Sequence, residues 1–327
     1  MSESLNNYYR AISQENSRVI EVLHSIRGAR CLITGANGII GYALTRLLDS
    51  YANVDLTLAT RKAFFQGGDF VSDNVAMINY DNVRREKFDY IFHCATHSQP
   101  TMFLKEWQST VRLNTDFLLL LLDCTKARLV YMSSTEIYSG LRKQAGEGDS
   151  GISMPQHPRG IYIESKRLAE AICNTSGVAH CLRIAPTAGP YAGKSDTRLI
   201  FELIRRAFVE KKLSLRGGYS HVRQFQYSGA SALRILVGGV SGGMPLYNCA
   251  GPYILTIEDL ARSIAEFLAV PYFRGGGDPQ VNGASDFVSV SMERFNSEFP
   301  ELCSIDPSFN DFLSWLVEDY IAVLTTG

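Results

Sequence analysis

The stretch Cys31-Leu-Ile-Thr34-Gly35-Ala-Asn37-Gly38-Ile39-Ile40-Gly41 constrains the fold of this chain more than any other. A hydrophobic run passes through three glycines spaced G-x-x-G-x-x-G and straight into the helix-like Tyr42-Ala-Leu-Thr-Arg-Leu-Leu48. Gly35 permits the tight strand-to-helix turn, Gly38 lets backbone approach a ligand with no Cβ in the way, and Gly41 lets the helix pack close to the strand. The helix start offers free N–H groups and the positive end of its dipole to an anion. Placed between strand and helix, the triplet is a seat for a diphosphate, with Asn37 and Ile39 among the contacts between its glycines.

Apolar runs recur at 29–34, 54–60, 75–79, 88–94, 128–133 and 178–184, with helical patterns between most of them. That alternation predicts an α/β fold, a doubly wound parallel sheet covered on both faces, with ligands at the carboxyl ends of the strands. Ile12, Val19, Ile20, Leu23 and Ile26 recur near helical spacing, which predicts an amphipathic N-terminal helix over 5–27, closed by Gly28. After Gly189-Pro190 the regularity weakens. Helices near 196–211 and 256–268 and the glycine-rich Leu213-Ser-Leu-Arg-Gly-Gly-Tyr219 predict a smaller C-terminal lobe, and Leu246-Tyr-Asn-Cys-Ala250 is apolar enough to return to the main sheet. The expected organisation is an N-terminal helical extension over 1–28, a nucleotide-binding domain over 29–190 and an interleaved lobe over 191–327.

A net charge of -1 argues against nucleic acid or an anionic membrane surface as the main partner. Seven cysteines without a C-x-x-C pair suggest neither a disulfide framework nor a zinc site, so no metal is expected. The N-terminus lacks the basic region and apolar core of a signal peptide, and Phe117-Leu-Leu-Leu-Leu-Leu-Asp123 is too short to span a bilayer. A cytoplasmic protein is expected.

Tyr162-Ile-Glu-Ser-Lys166 places a phenol and an ammonium on one helix face, about 5–6 Å apart at Cβ. A cation beside a phenol in a dry cleft favours the phenolate, which predicts that Lys166 draws the Tyr162 pKa down and lets it exchange a proton with a hydroxyl or ketone. The run Leu129-Val-Tyr-Met-Ser133-Ser134-Thr135-Glu136-Ile-Tyr138 presents a hydroxyl cluster at a strand's carboxyl end, facing the same cleft.

Together with Asp89-Tyr-Ile-Phe-His-Cys-Ala95, Asn114, Lys166-Arg167-x-Ala169-Glu170 and Arg183-x-x-x-x-x-Gly189-Pro190, these motifs give the chain a family likeness. Over roughly residues 29–300 it resembles the extended short-chain dehydrogenase/reductases, and among them the nucleotide-sugar epimerases, dehydratases, decarboxylases and ketoreductases. The resemblance implies a Rossmann-type sheet with a C-terminal substrate lobe. It makes Tyr162 the general acid/base, lets Lys166 bind the nicotinamide ribose and tune the tyrosine, and has Ser134 hydrogen-bond the reacting oxygen. Glu136 matches a glutamate placed beside the sugar, or else caps nearby backbone. Asp81, Ala95 and Asn114 are implied cofactor contacts, although Asn114 serves equally as a structural polar residue. Thr135 and Thr187 are implied substrate contacts; His97, Ser98 and Gln99 follow the fourth strand, where they are expected to line the sugar pocket, with loop polarity an equal account of all three. Arg223 corresponds to an arginine that grips the substrate diphosphate. A homodimer through the helices holding Asn114 and Tyr162 is usual in such proteins.

Departures from the family pattern sharpen the reading. Sugar 4,6-dehydratases carry an aspartate where Thr135 stands, and a hydroxyl cannot readily protonate a leaving hydroxide, so dehydration is disfavoured. The stretch Arg159-Gly-Ile-Tyr162-Ile-Glu164-Ser-Lys166-Arg167 looks like the UDP-glucuronate decarboxylase version. Pro186 and Ala230 replace a family asparagine and aspartate, which alters the substrate contacts. At the end of the second strand, Leu56-Thr-Leu-Ala-Thr60-Arg61-Lys62 has two cations and no carboxylate. A carboxylate would select NAD through the ribose 2′-OH, whereas Arg61 and Lys62 suit the 2′-phosphate of NADP, unless they form only a solvated turn. The expected protein is an NADP(H)-dependent oxidoreductase of a nucleotide-activated sugar, working by hydride transfer at sugar C4 with NAD as the other possible cofactor. The alternatives are a UDP-glucuronate decarboxylase or 4-epimerase with recycled NAD, or an NADP-binding scaffold without turnover.

Overall fold

The computed structural model describes residues 2–61, 64–65, 68, 70–124, 127–275 and 285–326. Where one helix over 5–27 is expected there are two, α1 (Glu3–Glu15) and α2 (Ser17–Ser25). The break falls at Asn16, whose backbone is extended and whose side chain accepts from the Val19 N–H at 3.1 Å. An asparagine side chain competes with the helical ladder and caps a new start.

From there the chain alternates as the apolar periodicity requires: β1 (Arg30–Thr34), α3 (Ile39–Tyr51), β2 (Asp55–Thr60), β3 (Val75–Asn79) and β4 (Tyr90–His93). Three helices follow, α4 (Pro100–Lys105), α5 (Trp107–Asn114) and α6 (Asp116–Cys124), then β5 (Arg128–Ser134), α7 (Gly160–Ser176) and β6 (Ala179–Ile184). The rest comprises β7 (Thr187–Ala188), α8 (Leu199–Glu210), β8 (Leu213–Arg216), β9 (Val222–Tyr227), α9 (Ser228–Ser241) and β10 (Leu246–Cys249). The chain closes with β11 (Tyr253–Thr256), α10 (Ile257–Phe267), β12 (Tyr272–Gly275), β13 (Phe287–Val288), α11 (Glu293–Glu298) and α12 (Phe309–Thr325). Among the described residues no helix is long and apolar enough to cross a membrane.

Seven strands form one parallel sheet in the order β10-β6-β5-β4-β1-β2-β3. Side chains alternate between its faces, as strand geometry demands. Ile33, Val130, Met132 and Leu182 pack toward α3 and α9, whereas Leu32, Ile91, Leu129 and Tyr131 pack toward α6 and α7. Both faces are thereby covered, which a parallel sheet needs. The direction of winding reverses between β1 and β4, and a crevice opens outside the carboxyl ends of strands at such a point. The segment 246–249 joins the sheet through a parallel pairing with β6, after a long excursion.

That excursion and the chain beyond it build a second layer over the crevice. β9 pairs antiparallel with β11 and parallel with β7 and β13, while β8 pairs parallel with β12. The helix expected from 196 starts at Leu199 because residues 193–198 form a turn, held where the Asp196 carboxylate accepts from the Arg198 backbone N–H at 3.0 Å.

Candidate functional site

A cleft of about 2040 Å³ lies between the strand ends and the second layer. Its floor is the glycine turn. Gly35 has φ +70°, and a Cβ there would stand 2.8 Å from the Ala95 backbone; a Cβ on Gly41 would stand 2.2 Å from the Gly35 carbonyl oxygen. Neither position admits a side chain. The α3 N-terminus is capped by Gly38 with no side chain across it, which leaves that end of the helix open to a ligand.

Most of the expected residues line this one cleft: Gly35, Asn37, Gly38, Ile39, Gly41, Arg61, Ala95, His97, Ser98, Ser134, Thr135, Glu136, Tyr162, Lys166, Thr187 and Arg223. Two are set apart from its wall. Asp81 is exposed on the turn after β3, and the neighbouring Tyr80 faces the cleft instead, its hydroxyl against the Gly35 backbone. Asn114 is fully buried behind Leu113 and donates from Nδ2 to Ser165 Oγ at 3.0 Å, tying α5 to α7. Lys62 lies outside the described residues.

β5 delivers Ser134 and, in the turn that follows, Thr135 and Glu136; α7 delivers Tyr162 and Lys166. Burial, opposed by a hydrogen bond from Ser134, pushes the Tyr162 phenol up to about 12. The Lys166 ammonium donates to the Met132 carbonyl at 2.7 Å and sits 4.6 Å from the Tyr131 ring centroid but 5.9 Å from that of Tyr162. The expected lowering of Tyr162 by Lys166 is thus not what the structure gives. Desolvation dominates the phenol, while the lysine, itself drawn down to about 7 by burial, is directed at backbone.

The far end of the cleft is charged. Glu136 pairs with Arg159 at 2.5 Å, and its buried Oε2 has no hydrogen-bond partner among the described residues. Arg223, also buried, donates to the Val222 carbonyl at 2.7 Å; burial weakens its cation, Glu136 supports it and Arg159 opposes it. Thr187 has its hydroxyl committed to the Ala185 carbonyl at 2.8 Å and to Gln226, so it lines the cleft chiefly through its methyl side. His97 sits 3.2 Å from Ser109 Oγ, its pKa pushed down by burial and by Arg61.

Among the cleft residues without a role in the sequence reading are Tyr80, Phe103, Arg159 and Tyr191. Tyr80 directly follows an expected strand and was locally legible. Tyr191, next after Gly189-Pro190, donates from its hydroxyl to Asn37 Oδ1 at 3.2 Å and stacks on Tyr42 at 4.4 Å, contacts that only the tertiary fold supplies.

The model of the NAD dependent epimerase/dehydratase family matches residues 31–232. UDP-glucuronic acid decarboxylase 1 of Danio rerio is 30% identical over 253 residues, 72% of this chain and 60% of that protein. The chain therefore spans less than two thirds of that relative's length. Among solved structures, the epimerase Mth375 of Methanothermobacter thermautotrophicus superposes with TM-score 0.80 at 18% identity, covering 94% of this chain and 96% of that one. MoeE5, solved in complex with UDP-glucose and NAD, superposes with TM-score 0.76 at 16% identity, covering 90% and 100%. At such identities the two structures establish a shared fold.

Proposed function

The chain belongs to the NAD dependent epimerase/dehydratase family, and from that premise we propose that it is an NADP(H)-dependent oxidoreductase acting at C4 of a nucleotide-activated sugar. The observation that carries the reading is the convergence of the glycine turn with Ser134, Tyr162 and Lys166 on a single cleft. A nicotinamide dinucleotide fits the residues present, because the turn excludes a Cβ at Gly35 and Gly41 and leaves the α3 N-terminus open. When bound it supplies a hydride acceptor or donor. Gly35, Gly38 and Gly41 would hold its diphosphate, and Lys166 its nicotinamide ribose. Arg61, exposed at the end of β2 on the cleft rim, would take the 2′-phosphate.

The chain's own chemistry is proton handling and charge placement. Tyr162 Oη would take the proton from the sugar hydroxyl on oxidation and return it on reduction. Ser134 would hold the same oxygen, as it already bonds the phenol. A phenol held near 12 stays protonated at neutral pH and has no free lone-pair base to offer the sugar hydroxyl, so the ammonium of Lys166 would have to turn to the ring in the filled site to favour the phenolate. The second layer, with Arg223, would bind the nucleotide sugar. Exposed Trp107, Leu119 and Leu168 on α5, α6 and α7 offer the apolar surface on which we place a homodimer contact, checked by light scattering of the eluting protein.

A second reading rests on a specific observation. Two guanidiniums, Arg159 paired with Glu136 and Arg223 supported by Glu136 and Asp286, line this end of the cleft, and guanidinium geometry suits a substrate carboxylate. With the Danio rerio relative, this supports decarboxylation of a UDP-uronate. The test is to identify carried-over cofactor and then to offer NADPH or NADH with a panel of 4-keto nucleotide sugars, and UDP-glucuronate alone. Net NADPH consumption supports the reductase. Release of CO₂ from UDP-glucuronate with no net NADPH use overturns it in favour of the decarboxylase.

A further inference from the structure

We infer that Phe103 is a positioning residue for Tyr162, and that its own place is set by a hydrogen-bonded bridge across the cleft through Thr197. The inference rests on the reading of Tyr162 as the acid/base. The Phe103 ring lies parallel to the Tyr162 ring, centroids 4.5 Å apart and planes 14° apart, and is only 2% exposed. The Arg159 guanidinium carbon stands 5.9 Å from the same Phe103 centroid, and that arginine is the partner of Glu136. One side chain therefore touches both the proton-transfer group and the charged pair at the sugar end. A flat apolar face against a phenol restricts rotation of the phenol and keeps water from it, while leaving its hydroxyl aimed along the cleft.

Phe103 sits on α4, a helix of six residues that packs against α5 and α7. A contact with the second layer holds the start of that helix. Thr197 donates from its backbone N–H and from its hydroxyl to Gln99 Oε1, both at 3.2 Å, and its hydroxyl lies 2.8 Å from Thr101 Oγ1. Gln99 and Thr101 begin α4, and Phe103 N–H donates to the Gln99 carbonyl at 3.0 Å. All four residues line the same cleft as the acid/base tyrosine. The arrangement gives the second layer a mechanical connection to the acid/base tyrosine.

The test uses full-length protein carrying ¹³Cζ-tyrosine, with the Tyr162 resonance assigned by its loss in Tyr162→Phe. Phe103→Ala is expected to admit water and lower the phenol pKa by about one unit. Phe103→Tyr, which keeps the ring, is expected to leave it in place. With an active substrate, Phe103→Leu, which keeps apolar bulk but loses the flat face, is expected to lower kcat about tenfold with KM little changed, and Phe103→Tyr to restore it. Thr197→Val should move kcat and the titration in the same direction by about threefold. An unchanged Tyr162 titration and unchanged kcat in Phe103→Leu and Phe103→Ala overturn the positioning role. Thr197→Val indistinguishable from the parent overturns the bridge. Absence of turnover in the parent refutes the proposed activity, while the titration arm still decides the role of Phe103.

Discussion

At one end of the cleft, Gly35, Gly38 and Gly41 present backbone to a ligand; at the other, Glu136, Arg159 and Arg223 present charged side chains drawn from a turn, a helix start and a distant strand. The first is made by a continuous run of eleven residues from Cys31 to Gly41, and at Gly35 and Gly41 it admits no side chain, since an added Cβ meets backbone at under 3 Å. The second depends on side chains far apart in sequence that only the tertiary fold brings together. Backbone geometry fixes what class of cofactor the protein accepts, and convergent side chains fix what it does with it.

Tyr162→Phe separates the two ends most strongly. Turnover should fall by about 10²- to 10⁴-fold, the usual worth of a positioned acid/base, while dinucleotide affinity measured by fluorescence titration stays within a factor of two or so. Loss of both together would merge the halves. Arg61→Ala should weaken NADPH by about ten- to a hundredfold, as a lost charge-assisted hydrogen bond predicts, and leave NADH nearly unchanged. Equal weakening of both cofactors would remove Arg61 as the selector. Gly41→Ala should destabilise the fold by about 1–3 kcal/mol in urea unfolding, because the new methyl overlaps the Gly35 carbonyl. Unchanged stability there would mean that the turn relaxes more freely than its contacts imply.

The last effect is pH-dependent and concerns Lys166. Its pKa is depressed from the ordinary lysine value to about 7 by burial, so the unfolded chain binds more protons than the folded one between there and the ordinary value. Stability from this group is then fully present above the unfolded pKa and is lost as pH falls through about 7. Lys166→Met removes that dependence. The stability of the parent relative to the variant should rise with pH across this window, as read from urea midpoints, and a flat difference would show the ammonium to be better solvated than its burial suggests.

The same contrast explains what the sequence could disclose. The strands of the parallel sheet were legible from apolar runs, and the glycine turn from spacing, because each is a local pattern with a local physical cause. The break at Asn16 was less so, since helical periodicity continues through it and only capping chemistry interrupts it. Phe103 and Thr197 were not legible at all. Their importance comes from contacts between segments about 60 and 100 residues apart, for which neither spacing nor composition carries a signal. The Tyr162 pKa was misjudged for a related reason: sequence places Lys166 one helical turn away but cannot say that its ammonium turns to the Met132 carbonyl.

The most direct test of the central claim, that this cleft moves hydride and proton at sugar C4, is stopped-flow absorbance of the reduced nicotinamide. The protein would be mixed with its dinucleotide and with nucleotide sugar bearing hydrogen or deuterium at C4. The account predicts a reduced-cofactor signal that forms more slowly with deuterium and disappears in Tyr162→Phe. Turnover of the sugar with no such signal, or with equal rates for the two isotopes and full activity in Tyr162→Phe, would contradict it.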